Sequence, residues 1–99
     1  MKERIFTPTG QTDCTVKAWL HDEDAKTHPA IIICPGGGYA MVSPREAEPV
    51  ARLYFAAGFN TFILTYSVGE NAKGLRPFLQ LAATIAEVRK NAAQWQIIA

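Results

Sequence analysis

The sequence lacks a long apolar run, an excess of either charge and a cysteine motif. Its apolar stretches are far shorter than a bilayer span, and its N-terminus, MKERIFTPTG, has no apolar secretory core. Ten Lys and Arg against nine Asp and Glu leave a net charge of +1, so no basic excess favours nucleic acid or an anionic membrane. We therefore expect a protein that binds neither nucleic acid nor membrane.

The residues that bind metals or form disulfides are also few. Cys14 and Cys34 form no CxxC or other metal spacing, and two reduced thiols predict a cytoplasmic protein. The acidic run at 22–24 lacks the ligand spacing of a calcium loop. His21 and His28 flank this run, and we expect both to be solvated loop residues. The sequence thus predicts no metal site and no cofactor.

What is present is the composition of one small globular domain. The chain has 99 residues, of which 48% are hydrophobic and 19% are charged. Val16, Ala18 and Leu20 alternate with other residues and predict a strand with these three side chains on one face. The apolar run at 30–34 and the β-branched and aromatic run at 60–66 predict two further strands, the first buried on both faces.

Two helices are predicted between and after these strands. A capping box at Ser43-Pro44-Arg45-Glu46 predicts a first helical turn, but Pro49 would break a backbone hydrogen bond farther along the same helix. The first helix is therefore either kinked at Pro49 or, as we favour, restarts near it, and Gly58 ends it as a left-handed cap. The second runs from Arg76 or Pro77 to Gln94. The apolar stripe of this helix is Leu81, Ile85, Val88, Ala92 and Trp95. Its predicted solvent face is Gln80, Thr84, Glu87 and Asn91.

Alternating strands and helices predict an α/β fold with a layered sheet. In such a fold the crossover helix is followed by another strand. The sequence ends at residues 96–99, where that strand would begin. We therefore expect the chain to be a truncated part of a larger α/β protein.

Three consecutive glycines follow the predicted strand at 30–34, in the segment Pro35-Gly36-Gly37-Gly38-Tyr39. Glycines after a buried strand allow backbone N–H groups to point into a crevice, where they can stabilise an oxyanion or a phosphate. A plain tight turn and a nucleotide-phosphate cradle are the alternatives. The sequence contains neither G-x-G-x-x-G nor G-x-x-x-x-G-K-[ST], the usual nucleotide motifs.

This glycine loop, residues 36–39, resembles the HGGG-type oxyanion loop of α/β-hydrolase esterases and lipases. The stretch IIICPGGGYAMVSPREAEPVARLYFAAGFNTFILTYSV, followed by a helix ending in VRKNAAQW, is similar to the N-terminal part of esterases related to acetyl-xylan esterases. The resemblance implies a partial α/β-hydrolase fold over residues 1–99, with a mostly parallel sheet and flanking helices. It also implies a chain truncated before the strand that carries the nucleophile.

By the same resemblance, the backbone N–H groups of Gly37 and Gly38 are the oxyanion donors, and Gly36 and Tyr39 line the substrate pocket. The sequence departs from the family pattern at Pro35, which stands where the motif has its histidine. The side chain that braces the loop in the family is therefore absent.

The nucleophile motif G-x-S-x-G is absent as well, because the two serines, Ser43 and Ser67, lie in other contexts. We expect none of the catalytic triad to be present and the chain alone to be inactive. The parent protein is then expected to be a serine carboxylic-ester hydrolase with a small ester substrate, such as an acetyl or other short-chain acyl ester.

By the same resemblance, the strand at 30–34 lies between the strand at 60–66 and the missing nucleophile strand, so truncation would leave it on the edge of the sheet. Because an apolar edge strand offers unpaired backbone groups, we expect association with the missing C-terminal part or self-association through the open edge. The alternative function is that of a non-catalytic small α/β module. Such a module would bind an anion, a nucleotide or a protein partner through the glycine loop.

Overall fold

The computed structural model describes residues 1–22, 26–35, 47–67 and 75–97. These residues form four strands and two helices, and strands and helices alternate from the third strand onward. In chain order the elements are β1 (Lys2–Phe6), β2 (Thr15–Leu20), β3 (Ala30–Ile33), α1 (Glu48–Ala56), β4 (Asn60–Thr65) and α2 (Arg76–Lys90). The predicted α/β class is confirmed.

The four strands form one sheet in the order β1-β2-β4-β3. β2 is antiparallel to both β1 and β4, whereas β3 is parallel to β4, with Ile33 opposite Ile63. The described sheet is therefore mixed, not mostly parallel as expected. The reason lies in the connections: the short link from β1 to β2 can only join antiparallel neighbours, whereas α1 provides the crossover that a parallel pair needs.

The alternation of β2 places Val16, Ala18 and Leu20 on one face of the sheet, as predicted. On this face they join Phe62 and other apolar side chains in the larger of two core clusters. The remaining buried members of this cluster are Cys14, Leu64, Tyr66, Val88, Trp95 and Ile97. The smaller cluster contains Trp19, Ile33, Ala51 and Ile63, with Ala51 contributed by α1. The two clusters place the helices on opposite faces of the sheet.

Helix α1 begins next to Pro49, which lies in its first turn. The backbone N–H groups of a first turn have no intrahelical acceptor, so a proline there removes no hydrogen bond. The predicted restart at this proline is confirmed. Just beyond the helix, Gly58 has a φ of +102°, a left-handed backbone conformation that residues other than glycine rarely adopt. The turn at Gly58 leads directly into the central strand β4.

Helix α2 ends at Lys90, four residues before the predicted end, and the chain continues as turns. Val88 and Trp95 of the predicted apolar stripe are buried, as expected. The predicted solvent face is wrong at Gln80 and Thr84, both of which are 0% exposed. These two residues share a helix face with Val88 at a spacing of four residues, so that face packs inward despite its polar residues.

We expect Phe62→Ala to lower the free energy of unfolding by about 3–5 kcal/mol, because it leaves a cavity in the core. Phe62 is 0% exposed, whereas Phe78 on α2 is 67% exposed and provides the control. For Phe78→Ala we expect a change within about 0.5 kcal/mol. Urea unfolding followed by circular dichroism measures both. Equal losses for the two variants would contradict the assigned core.

Candidate functional site

The candidate site lies at the carboxyl ends of β3 and β4. In sheets with parallel strands, ligands bind in the crevice outside these ends. β3 ends at Ile33 and β4 at Thr65, and the parallel register brings the following residues of both strands to one edge. The four predicted site residues Gly36, Gly37, Gly38 and Tyr39 lie outside the described residues. Their roles stay predictions, but the described chain leads up to them as far as Pro35.

Pro35 and Tyr66 connect the two strands at this edge. Pro35 is less than 2% exposed and Tyr66 is 9% exposed. The hydroxyl of Tyr66 donates a hydrogen bond to the carbonyl oxygen of Pro35. The proline ring also fixes φ of Pro35. The residue before the glycine run is therefore restrained by its own ring and by a hydrogen bond to the residue that follows β4. The motif analysis of the sequence gave no role to Tyr66.

A buried polar network follows Tyr66. The backbone N–H of Ser67 donates to Oε1 of Gln80 at 2.8 Å. The amide group of Gln80 donates to the Ser67 hydroxyl at 2.6 Å and to the carbonyl of Thr12 at 3.1 Å. The Ser67 hydroxyl also contacts the backbone carbonyl of Asp13 at 3.1 Å. Gln80 therefore joins α2, β4 and the segment before β2.

Ser67 is only 2% exposed and its hydroxyl lies within this network. This arrangement gives Ser67 a structural role at the sheet edge. The burial of Gln80 could not be predicted from its residue type, which normally marks a solvent face. The relevant signal is its position, four residues before Thr84 and eight before Val88 on the packed face of α2.

Cys34 borders the site, at the end of the run 30–34 that was predicted as a strand buried on both faces. It is exposed, whereas Cys14 is buried in the larger core cluster. Neighbouring protein atoms still desolvate part of the Cys34 side chain, and this desolvation raises the pKa of its thiol above the usual value. The thiol therefore stays protonated at neutral pH, the form that is a poor nucleophile.

An ion pair holds the start of α1, where the chain returns after the undescribed residues 36–46. The ammonium group of Lys17 on β2 donates a hydrogen bond of 2.8 Å to the Glu48 carboxylate. This hydrogen bond, together with the charge of Lys17, lowers the pKa of Glu48. The same hydrogen bond raises the pKa of Lys17. The ion pair thus links the beginning of α1 to the face of the sheet.

The two histidines lie at the other end of β3 and β4, and the expectation of solvated loop residues is wrong. The rings of His21 and His28 stack with centroids 4.5 Å apart, and His21 also stacks on Phe55 at 3.9 Å. His21 Nε2 lies 3.0 Å from the carbonyl of Phe55, and His28 Nδ1 lies 2.9 Å from that of Gly58. Because a carbonyl can only accept, both nitrogens carry a proton.

The histidine stack precedes the amino ends of β3 and β4, whereas the glycine loop follows the carboxyl end of β3. The fold therefore does not bring the histidines to the candidate site. Over the described ranges, no three His, Cys, Asp or Glu side chains come together as metal ligands. None of the helices in these ranges is long and apolar enough to cross a membrane.

Comparison with known proteins extends this description. No family model matches the sequence. The chain is 30% identical over 83 residues to endo-1,4-β-xylanase B of Butyrivibrio fibrisolvens, a match that covers 81% of this chain and 13% of that protein. The α/β hydrolase MGS-M1 from a Medee basin deep-sea metagenome library superposes with a TM-score of 0.92 at 34% identity. That superposition covers 99% of this chain and 43% of MGS-M1.

The chain has a partial α/β-hydrolase fold. A second solved structure agrees: the acetyl ester-xyloside bifunctional hydrolase of Caldicellulosiruptor lactoaceticus has a TM-score of 0.81 at 30% identity. This match covers 94% of the chain described here and 34% of the bifunctional hydrolase. The chain thus spans less than half the length of the solved structures it matches. These comparisons confirm the resemblance to α/β hydrolases that the glycine loop indicated, and the partial fold that this resemblance implied.

We expect Gln80→Leu to lower the free energy of unfolding by about 1–3 kcal/mol, because it leaves the buried backbone N–H of Ser67 without its hydrogen-bond acceptor. Leucine keeps most of the side-chain volume, so the loss reports on hydrogen bonds more than on packing. Gln94→Leu at an exposed position is the matched control and should change stability within about 0.5 kcal/mol. Urea unfolding measures both variants. A Gln80→Leu variant as stable as the wild type would contradict the network.

We expect Glu48→Gln to remove a pH-dependent part of the stability. The pKa of Glu48 is lower in the folded chain than its ordinary value of 4.5. The ion pair therefore stabilises the fold above pH 4.5, and this stabilisation is lost as the pH falls through the folded-state pKa. Thermal unfolding from neutral to acidic pH should show a difference between wild type and Glu48→Gln that shrinks toward acidic pH.

The control for this series is Arg52→Gln. The Arg52 guanidinium lies 3.9 Å from the Glu48 carboxylate and its side chain is 73% exposed, so its loss should leave the pH dependence nearly intact. A difference between wild type and Glu48→Gln that stays constant with pH would contradict the ion pair.

Proposed function

We propose that this chain is the part of a serine carboxylic-ester hydrolase that supplies the oxyanion-binding loop. One observation carries the proposal: Pro35, the residue before the glycine run, is buried at the carboxyl end of β3, next to the end of β4. This is the edge at which α/β folds bind ligands. The structural similarity to an acetyl ester-xyloside bifunctional hydrolase supports ester hydrolysis as the reaction.

In the proposed mechanism, a serine outside these 99 residues attacks the carbonyl carbon of the ester. The N–H groups of Gly37 and Gly38 donate hydrogen bonds to the oxyanion that develops on the carbonyl oxygen. Each such donor stabilises the transition state by about 3 kcal/mol. Gly36 and Tyr39 line the pocket for the acyl group or the alcohol. The tetrahedral intermediate then breaks its C–O bond to the alcohol, which leaves with the proton removed from the serine, and the acyl-enzyme remains. Water hydrolyses the acyl-enzyme, releases the acid and returns the proton to the serine.

The chain itself contributes no residue of the catalytic triad in this proposal. Ser67 is buried among hydrogen bonds to Gln80 and Asp13, and Ser43 lies in no nucleophile motif. His21 and His28 are occupied at the opposite end of the strands. The nucleophile, the acid and the catalytic histidine are therefore provided by other parts of the protein, and the chain alone is inactive.

We propose an acetyl or other short-chain acyl ester as the substrate. The name of one solved relative, an acetyl ester-xyloside bifunctional hydrolase, supports acetyl esters in particular. Both cysteines are free, which supports a cytoplasmic location, where thiols stay reduced.

The partner of this chain is proposed to be the rest of the hydrolase, which would cover the outer edge of β3. A groove of about 700 Å³ lies between β3 and α2. Its lining residues are Ala30, Ile32, Leu81, Ile85, Val88, Arg89, Ala92 and Ile97. Seven of these eight residues are apolar, so the groove favours an apolar segment. Self-association through the same edge is the competing outcome.

The direction of the backbone supports this position of the partner. The carbonyl of Pro29 accepts a hydrogen bond from the backbone N–H of Asn60 at 2.9 Å. The backbone N–H of the preceding residue, His28, donates to the carbonyl of Gln96 at 2.8 Å. Consecutive residues of an extended chain point their backbone groups to opposite sides, so the segment with Ile97 flanks the side away from β4. Ile97 also forms a parallel bridge with His28. A further parallel strand beginning there would complete the sheet beside β3.

The test compares the protein purified from its source with the isolated 99-residue chain. We expect the source protein to be larger than 10.9 kDa, to hydrolyse p-nitrophenyl acetate and to react with a fluorophosphonate probe on one serine outside residues 1–99. The isolated chain should show neither reaction. Intact-mass and peptide mass spectrometry locate the modified serine.

Two results would contradict the proposal. A source protein of 10.9 kDa would leave no segment to carry the triad and would favour the non-catalytic module. A burst of one equivalent of p-nitrophenol from the isolated chain would show that the nucleophile lies within it. Size-exclusion chromatography of the isolated chain separates self-association from pairing with the remaining part.

A further inference from the structure

We propose that Tyr66 is a positioning residue for the glycine loop, acting through its hydrogen bond to the carbonyl of Pro35. The inference rests on the proposed function of Gly37 and Gly38 and extends it to a side chain that directly follows β4, the strand next to β3. Tyr66 touches neither the substrate nor the reacting atoms in this proposal. Its role is to hold the main chain from which the oxyanion donors extend.

The position of Tyr66 suits this role. Tyr66 directly follows β4, the strand that is paired on both sides, with β2 and with β3. Its ring belongs to the larger core cluster and only 9% of the residue is exposed. The hydroxyl therefore projects from a fixed ring to the edge of the sheet. Pro35 is two residues beyond the end of β3, close to the same level of the parallel register.

The hydrogen bond fixes more than one atom. A peptide group is planar, so the carbonyl of Pro35 and the N–H of Gly36 lie in one plane and point in opposite directions. Holding the carbonyl therefore sets the direction of the next N–H and the path on which the chain enters the glycine run. The proline ring fixes φ of the same residue. The entry to the run is thus restrained at two points, both in buried residues.

Such a restraint matters because glycine loses more conformational entropy on ordering than any other residue. Backbone donors stabilise an oxyanion best when they are already aligned before the reaction. Pro35 has no N–H and no polar side chain with which to fix the loop itself. The Tyr66 hydroxyl provides this function from β4, with an acceptor that belongs to the main chain.

The test is Tyr66→Phe in the 99-residue chain, with Thr84→Val as the matched control. Phenylalanine keeps the ring and its packing and removes only the hydroxyl. Thr84 is also 0% exposed, and its hydroxyl donates to the Gln80 carbonyl within α2, away from Pro35. Both variants thus lose a buried hydroxyl hydrogen bond. Only the bond lost in Tyr66→Phe is made to Pro35, the residue before the glycine loop.

The readout is the hydrogen exchange of the backbone amides of Gly36, Gly37 and Gly38, measured by ¹⁵N NMR. We expect Tyr66→Phe to shift these resonances and to accelerate their exchange by roughly tenfold relative to that of the core amides, the effect of losing about one hydrogen bond. Thr84→Val should leave the glycine amides unchanged. Exchange of the core amides corrects for any loss of global stability.

The inference is overturned if the glycine amides of Tyr66→Phe match those of the wild type, or if Thr84→Val changes them equally. A kinetic measurement on the larger source protein adds a second criterion. There Tyr66→Phe should lower kcat for p-nitrophenyl acetate by roughly 10-fold or more with little change in KM, because only the alignment of the donors is lost. An equal fall in kcat for Thr84→Val would contradict the positioning role.

The outcomes of the two proposals are distinguishable. The proposed function fails if the wild-type source protein neither reacts with the fluorophosphonate nor hydrolyses the ester. The positioning role fails if the glycine amides do not respond to Tyr66→Phe. The NMR measurement does not depend on esterase activity and decides the second question by itself.

Discussion

The parallel pairing of β3 with β4 is the constraint on which the rest of the structure depends. It requires the crossover through α1, and so it places a helix on one face of the sheet. It also brings the carboxyl ends of both strands to one edge, where the Tyr66 hydroxyl reaches the Pro35 carbonyl. With β3 antiparallel to β4 instead, the glycine loop would follow the opposite edge of the sheet, and no residue after β4 could contact its entry.

Buried amide side chains secure both ends of this strand pair. At the amino end, Oδ1 of Asn60 accepts the backbone N–H of His21 at 2.8 Å, and its amide lies 3.3 Å from the carbonyl of Trp95. At the carboxyl end, Gln80 makes the corresponding contacts with Ser67 and Thr12. An amide both donates and accepts, so one side chain can satisfy backbone groups from two segments where the regular sheet stops. Hydrogen bonds of these polar side chains thus fix the segments at the ends of the strands, whereas apolar contacts pack the helices against the sheet.

Local patterns in the sequence predicted the elements well, and tertiary contacts explain the remainder. The alternation of β2, the restart at Pro49 and the left-handed Gly58 each depend on neighbouring residues, and each is confirmed. The spacing of Gln80 with Val88 indicates its helix face, but its hydrogen bond to Thr12 and the stacking of His21 on Phe55 depend on partners distant in sequence, which no local pattern reveals. At the candidate site, the glycine motif is visible in the sequence, but only the fold shows that Tyr66 contacts Pro35, the residue before the motif.

Within the described residues, β3 lies at one edge of the sheet. β3 pairs with β4 on one side, and the bridge from His28 to Ile97 meets its other side only at the amino end. Along the rest of this side, the apolar groove between β3 and α2 remains open. A strand placed there would bury the groove and end at the same edge as Pro35, beside the glycine loop. In the proposed hydrolase, a segment that paired with this edge would therefore also bring its next residues to the candidate site.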